Sequence, residues 1–243
     1  MPRFFVDFPC KIGEKAIITG EDARHIAKSL RMKEGEMLEL CDGNGMDYSC
    51  EIDSFAGGDV VVNVFCAAPN STEPSTFVTL IQSLPKADKM DSVMQKAVET
   101  GASRMIPVLS MRCISRPDAK SAAKKVERWQ KIASEAAKQC GRGILPQVDP
   151  VTDFRKAVEE AAHDGEVVLF YEGGGEPLTK IVSPKTRRLS IVIGPEGGFA
   201  PEEVEFAKSL GVKTATLGPR ILRTETAPIA ALSAIMLLTG NMD

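Results

Sequence analysis

Hydrophobic positions change their period once along the chain. Across residues 1–68, apolar residues fall in short runs separated by turn residues, which predicts strands at 3–7, 16–19, 37–41, 47–55 and 60–66. Asp42-Gly-Asn-Gly45 and Gly57-Gly-Asp59 supply the turn signals. One stretch departs from the pattern. Over 21–31, His25, Ile26, Ser29 and Leu30 recur at helical spacing, with Asp22 near the start, so a single short helix is expected there. Five short strands with one helix suggest a small β-barrel.

Residues 67–75, with Pro69 and Pro74 among small polar residues, are a linker by composition. Beyond it strands and helices alternate. Strands are predicted at 77–82, 104–109, 167–171, 189–193 and 213–217, and helices at 86–100, 119–139, 153–162, 201–210 and 228–238. In the first helix Met90, Val93, Met94, Ala97 and Val98 share one face, and Gly101 stops it. In the second the shared face is Val126, Trp129, Ile132, Ala133, Ala136 and Ala137. The fourth carries Pro201 in its first turn, acidic residues toward its N-terminal end and Gly211 at its stop. This alternation predicts an α/β domain with a largely parallel sheet. The last helix is apolar nearly all round, so it requires deep insertion or a partner subunit.

Composition adds limits. The 243 residues are 43% hydrophobic and 26% charged, as in an ordinary soluble globular protein. No apolar run approaches the roughly 20 residues of a membrane span. The N-terminus has no apolar signal region, so a cytoplasmic location is expected. Six Cys without a CxxC pair, and two His, argue against a zinc site. Charge is uneven: residues 1–72 hold 7 Lys and Arg against 12 Asp and Glu, while 112–142 hold nine basic residues against three acids. The second region suits contact with phosphates, or is a solvated helix face.

Two Gly- and Pro-rich loops carry the candidate chemistry. Ile193-Gly-Pro-Glu-Gly-Gly198 and Leu217-Gly-Pro-Arg-Ile-Leu-Arg-Thr-Glu-Thr-Ala227 each follow a predicted strand and precede a predicted helix. Ligands of parallel sheets sit outside the carboxyl ends of the strands. Neither loop is a GxGxxG or a P-loop, and Glu196 would repel phosphate, so a cationic or hydrogen-bond-donating ligand suits the first loop better. Glu196 alternatively braces its own loop. Arg223 and Glu225, two apart, would project the same way from extended chain, to hold each other or to position a substrate. Thr224 or Thr226 is placed to cap the last helix.

Taken together, these residues resemble the RsmE-type 16S rRNA uracil-N3 methyltransferases, of the SPOUT class. The likeness spans nearly the whole chain. It rests on Arg3-Phe-Phe-Val6, on His25-Ile-Ala-Lys-Ser-Leu-Arg-Met-Lys-Glu-Gly35, on the stretches 89–101 and 128–142, and on the two loops. The resemblance implies an N-terminal PUA-like RNA-binding β-barrel over 1–70. It also implies a C-terminal SPOUT α/β methyltransferase domain over 74–243, with a parallel sheet and a C-terminal trefoil knot. It implies S-adenosylmethionine as cofactor, held by Phe170, Tyr171, Glu172, Gly194, Pro195, Glu196, Gly197, Leu217, Gly218, Ile221 and Leu222. A homodimer through the methyltransferase domain is implied, with 16S rRNA or the assembled small subunit as substrate and no metal. Arg223, seconded by Arg3, would stabilise charge on the uracil oxygens, and Glu196 or Glu225 would accept the N3 proton. Arg3, His25, Lys28, Arg31, Lys33, Arg112, Arg128 and Arg142 would meet RNA. Cys113 and Cys140 stand where Ser is expected, and Ala200 where a capping Ser or Thr is usual. Without the resemblance, a non-catalytic RNA-binding assembly factor, or a knotted methyltransferase of another RNA, also fits.

Overall fold

Turn residues and alternation resolve the first part of the chain into five strands: β1 (Arg3–Phe5), β2 (Lys15–Ile18), β3 (Met37–Cys41), β4 (Met46–Ala56) and β5 (Asp59–Pro69). The computed structural model describes residues 1–242. The strands pair in the order β1-β3-β4-β5-β2, with β1 parallel to β3 and the other pairs antiparallel. Among the described residues no ladder joins β1 to β2, so the sheet is a half-barrel. Its inward positions, among them Phe4, Leu38, Leu40, Ile52, Val60 and Val62, are buried with Ala23 and Ile26. Those two come from α1 (Gly20–Arg24), which widens into a π-helical turn over His25–Ser29 and ends in a bond from Leu30 N to His25 O at 2.9 Å.

This first unit comprises residues 1–73 together with 137–145. The second stretch ties in through polar contacts. Arg142 is buried and donates from Nε and Nη2 to Glu73 at 2.9 and 2.8 Å. Glu73 also accepts the N–H groups of Gly143 and Ile144. Residues 137–145 thus fall outside the contiguous division at 70–74 expected from the linker composition.

The remainder forms an eight-stranded sheet. Its main path is β11 (Glu176–Pro177), β13 (Lys213–Thr216), β10 (Val167–Phe170), β12 (Arg188–Ile193), β6 (Phe77–Ser83), β7 (Ala102–Leu109) and β8 (Gln147–Val148), all parallel; β9 (Thr152–Asp153) also pairs with β7. β6, β10 and β12 are buried along nearly their whole length, which is why they are mostly apolar and show no alternation of apolar and polar positions. The helices are α2 (Lys89–Glu99), α3 (Ala119–Cys140), α4 (Phe154–Asp164), α5 (Leu178–Ile181), α6 (Pro201–Ser209) and α7 (Ala227–Leu238). α4 and α6 cover one face of the sheet, packing Phe154, Ala157, Val158, Val204 and Ala207 on Ile81, Ile106, Leu169 and Val192. The rings of Phe154 and Phe199 lie 5.4 Å apart in that layer.

α7 is only half covered. Pro228, Ala231, Leu232, Ile235 and Met236 are buried, while Leu237 remains 60% exposed. No helix is long and apolar enough to cross a membrane among the described residues.

Candidate active site

β13, β10 and β12 are neighbours in the sheet and run in parallel, so their carboxyl ends lie side by side. The loops that leave those ends enclose a cavity of about 900 Å³. Its wall includes all eleven residues expected to hold the cofactor, from Phe170 to Leu222, together with Ile193, Phe199, Arg223 and Thr224. A volume of this size lies at the upper end of small-molecule sites, roughly 300–1,000 Å³.

The loop after β12 turns tightly, with Gly198 N donating to Pro195 O at 2.9 Å. Gly198 has φ +65°, and a Cβ built on it would lie 2.2 Å from Glu172 Oε1. Only glycine permits both that backbone and the approach of the Glu172 carboxylate. Arg112 Nη1 donates to Gly197 O at 2.8 Å and fixes the outer side of the turn. α6 then starts without a capping hydroxyl, as Ala200 dictates. Glu203 compensates from three residues on, its buried carboxylate accepting Ala200 N at 2.9 Å and Met111 N at 2.8 Å.

The loop after β13 is locked by Thr224. Its hydroxyl donates to Gly194 O at 2.7 Å and accepts from Gln82 Nε2 at 3.2 Å. The expected cap from Thr224 or Thr226 is therefore not made: Thr226 has no side-chain bond at the start of α7, and Thr224 bridges the two loops instead. The extended geometry expected for Arg223 and Glu225 is also replaced by a turn, in which Thr226 N and Ala227 N both donate to Arg223 O at 2.9 Å. The turn separates the two side chains. Arg223 lines the cavity, exposed and with no side-chain partner among the described residues. Glu225 turns to Lys89.

Lys89 Nζ lies 3.1 Å from Glu196 Oε1 and 3.1 Å from Glu225 Oε2. Lys86 N–H also donates to Glu196 Oε1, at 3.1 Å. Burial acts to raise the pKa of Glu196. Its own N–H, the Lys89 ammonium and the Lys86 N–H outweigh burial and hold it below the ordinary glutamate value. Glu225 follows the same logic: burial raises it, its own N–H and Lys89 lower it further, and the net is downward. Lys89 is raised in return by the two carboxylates. Sequence reasoning missed this lysine, because nothing in its spacing separates it from the other lysines of its helix.

Several residues expected to meet RNA are engaged within the protein. Arg3 has a side chain only 10% exposed and pairs with Asp47 through both terminal nitrogens, at 2.8 and 3.0 Å, and with Glu39 at 2.9 Å. Two carboxylates thus already offset the Arg3 charge within this unit. Arg142 is likewise no surface cation, being buried against Glu73. Arg128 is ion-paired with Asp91, and Arg112 holds the Gly197 turn. His25, Lys28, Arg31 and Lys33 are exposed, as a phosphate-contacting group must be, with His25 edge-on to Phe4.

The chain thus holds a small half-barrel unit and a unit with a parallel sheet whose carboxyl edge carries a looped cavity. Residues 72–236 match the family described as the RNA methyltransferase domain, and residues 18–55 match the RNA methyltransferase PUA domain. Ribosomal RNA small subunit methyltransferase E of Bacillus subtilis is 39% identical over 97% of this chain and 96% of its own length. A crystal structure of ribosomal RNA small subunit methyltransferase E from Neisseria gonorrhoeae, bound to S-adenosyl methionine, superposes with TM-score 0.91 at 32% identity, covering 98% of both chains. A methyltransferase from Legionella pneumophila in complex with the same cofactor superposes with TM-score 0.87 at 29% identity, over 97% of this chain and 96% of that one. The chain belongs to the RNA methyltransferase family, and within it to the small-subunit methyltransferase E group.

Proposed function

We propose that this protein transfers a methyl group from S-adenosylmethionine to N3 of a uridine in 16S rRNA of the small ribosomal subunit, in the cytoplasm. The observation that carries this reading is the three-loop cavity, set in a chain whose full-length relatives bear that enzyme's name. The residues present suit the cofactor. Glu172 and Glu196 line the cavity and offer carboxylates to a sulfonium and an ammonium, while Phe170, Ile193, Leu217 and Leu222 offer apolar wall to a purine. When bound, S-adenosylmethionine supplies an electrophilic methyl group.

The chain's own residues then have three tasks. The loops after β10, β12 and β13 orient the base in line with the methyl group and exclude water. Arg223, whose guanidinium has no internal partner among the described residues, stabilises negative charge developing on the uracil oxygens. Glu196 or Glu225 receives the N3 proton. Both are held as weakly basic carboxylates, which favours relay through an ordered water over direct abstraction. The exposed His25, Lys28, Arg31 and Lys33 guide the RNA backbone. A homodimer through the methyltransferase domain would cover the open apolar side of α7, including the exposed Leu237.

The test is methyl transfer from labelled S-adenosylmethionine to small subunits and to naked 16S rRNA, with nuclease digestion to identify the product nucleoside. The expected product is 3-methyluridine. Calorimetric titration of the cofactor into the wild type and into Glu196→Ala reports the cavity directly. A folded wild type that neither binds the cofactor, with or without rRNA, nor labels RNA overturns the proposal.

A further inference from the structure

The segment leading into α2 breaks two local rules. Ala87 has φ +54°, a left-handed conformation that side chains bearing a Cβ rarely adopt. Lys89 is the first residue of the helix, where the helix dipole disfavours a cation. Neither feature helps α2 form. Strained backbone of this kind persists where the surroundings over-determine it.

Both departures serve the same contact. With the chain wound this way, Lys86 N–H meets Glu196 Oε1 at 3.1 Å, and Lys89 Nζ reaches Glu196 and Glu225 at 3.1 Å each. One carboxylate belongs to the loop after β12, the other to the loop after β13. Two carboxylates in reach of one ammonium repel one another, and the ammonium offsets that repulsion. Among the described residues, the side chain ion-paired with both carboxylates is that of Lys89; Lys86 contributes its backbone N–H.

We infer that Lys89 is a positioning residue of the methyl-transfer site: its ammonium clamps the two cavity loops together through Glu196 and Glu225 and keeps both carboxylates ionised. The inference rests on the reaction proposed above. Lys89 and Glu225 are not among the residues that line the cavity, whereas Glu196 is. Lys89 therefore acts through the charge and spacing of Glu196 and its neighbour Glu225, and it leaves the trio one net negative charge beside the cavity. The Thr224–Gly194 bond joins the same two loops deeper in the fold, so the loops are tied at two levels.

The experiment compares the full-length wild type with Lys89→Met and Lys89→Arg. In protein labelled with ¹³C at glutamate carboxyls, NMR titration follows Glu196 and Glu225. In Lys89→Met one of the two carboxyls is expected to titrate at higher pH, and Lys89→Arg to return it. Methyl transfer by Lys89→Met should fall about ten-fold near pH 6 and recover to within about two-fold near pH 8.5, with KM for cofactor changed by no more than about two-fold. Carboxyl titrations that coincide with the wild type overturn the inference. So does an activity loss equal at every pH, or one that arginine does not correct. If Lys89→Met fails to fold, Glu225→Gln makes the test from the other side: Glu196, freed of its neighbour's charge but still held by Lys89, should titrate lower, and an unchanged value overturns the clamp. The NMR titration needs neither cofactor nor RNA. A wild type that transfers no methyl group therefore refutes the reaction, whereas coinciding titrations refute the clamp.

Discussion

The hydroxyl of Thr224 donates to the carbonyl of Gly194 at 2.7 Å, across 30 positions of sequence. Thr224 is buried, and the same oxygen accepts from Gln82. Thr224→Val keeps the shape but leaves Gly194 O and the Gln82 amide each short of a partner. An unsatisfied buried group costs about 1–3 kcal/mol, so denaturant unfolding should register a loss in that range. Cofactor affinity should weaken as well, because both loops line the cavity.

Arg223→Ala should separate binding from chemistry. The side chain is exposed at the cavity and pairs with no other side chain among the described residues, so the variant should fold and bind cofactor with near wild-type affinity. Loss of a donor aimed at developing charge slows the step by about 10²–10³-fold. Single-turnover methyl transfer beside calorimetry measures both quantities. Comparable losses in each would assign Arg223 to cofactor binding.

Gly198→Ala tests the closeness of the cavity wall. The added methyl group meets Glu172 Oε1 at 2.2 Å, at a φ of +65°. The turn must open or Glu172 must withdraw. The variant should lose more than the ~1 kcal/mol of an ordinary glycine replacement, and cofactor binding should fall with it.

Glu73→Ala removes the acceptor of two Arg142 donors and of two backbone N–H groups. Breaking a buried pair by deleting one partner typically costs about 3–5 kcal/mol. Because Glu73 is 17% exposed, about 3 kcal/mol is expected, read from the shift of the urea midpoint.

Thiol chemistry should follow burial. Burial pushes the Cys41 and Cys50 thiols up to about 12, so both remain protonated at pH 8 and inert to a thiolate-selective reagent. Cys66 is exposed and should react first. Rapid labelling of Cys41 or Cys50 in folded protein would contradict the packing of the half-barrel.

The legible parts of this chain were those in which a single local property decides the outcome. Mostly apolar runs marked β10 and β12, because a strand covered on both faces has no polar side to alternate. Glycine and proline marked the two loops. β8, β9 and β11 have two residues each, too few for any period to show. The charged residues were harder. Arg3 and Arg142 look like surface cations in one dimension, yet their partners Asp47 and Glu73 lie 44 and 69 positions away. Lys89 was invisible for the same reason, its partners being on two distant loops. Thr224 was read as a cap because its neighbours form a helix, whereas its bond is to a strand end that sequence does not place beside it.

The order of strands also governs how the molecule can be assembled. Phe77 in β6 pairs with Arg188 in β12, so one edge of an early strand waits for a segment made more than a hundred residues later. β12 lies between β6 and β10, and β13 adds on the other edge of β10. Such non-local pairing is slow and leaves strand edges open during synthesis, a state prone to aggregation. A chain that ends before β13 lacks one of the three loops that line the cavity. A ligand that binds the finished cavity would therefore stabilise the completed chain over such a truncated product.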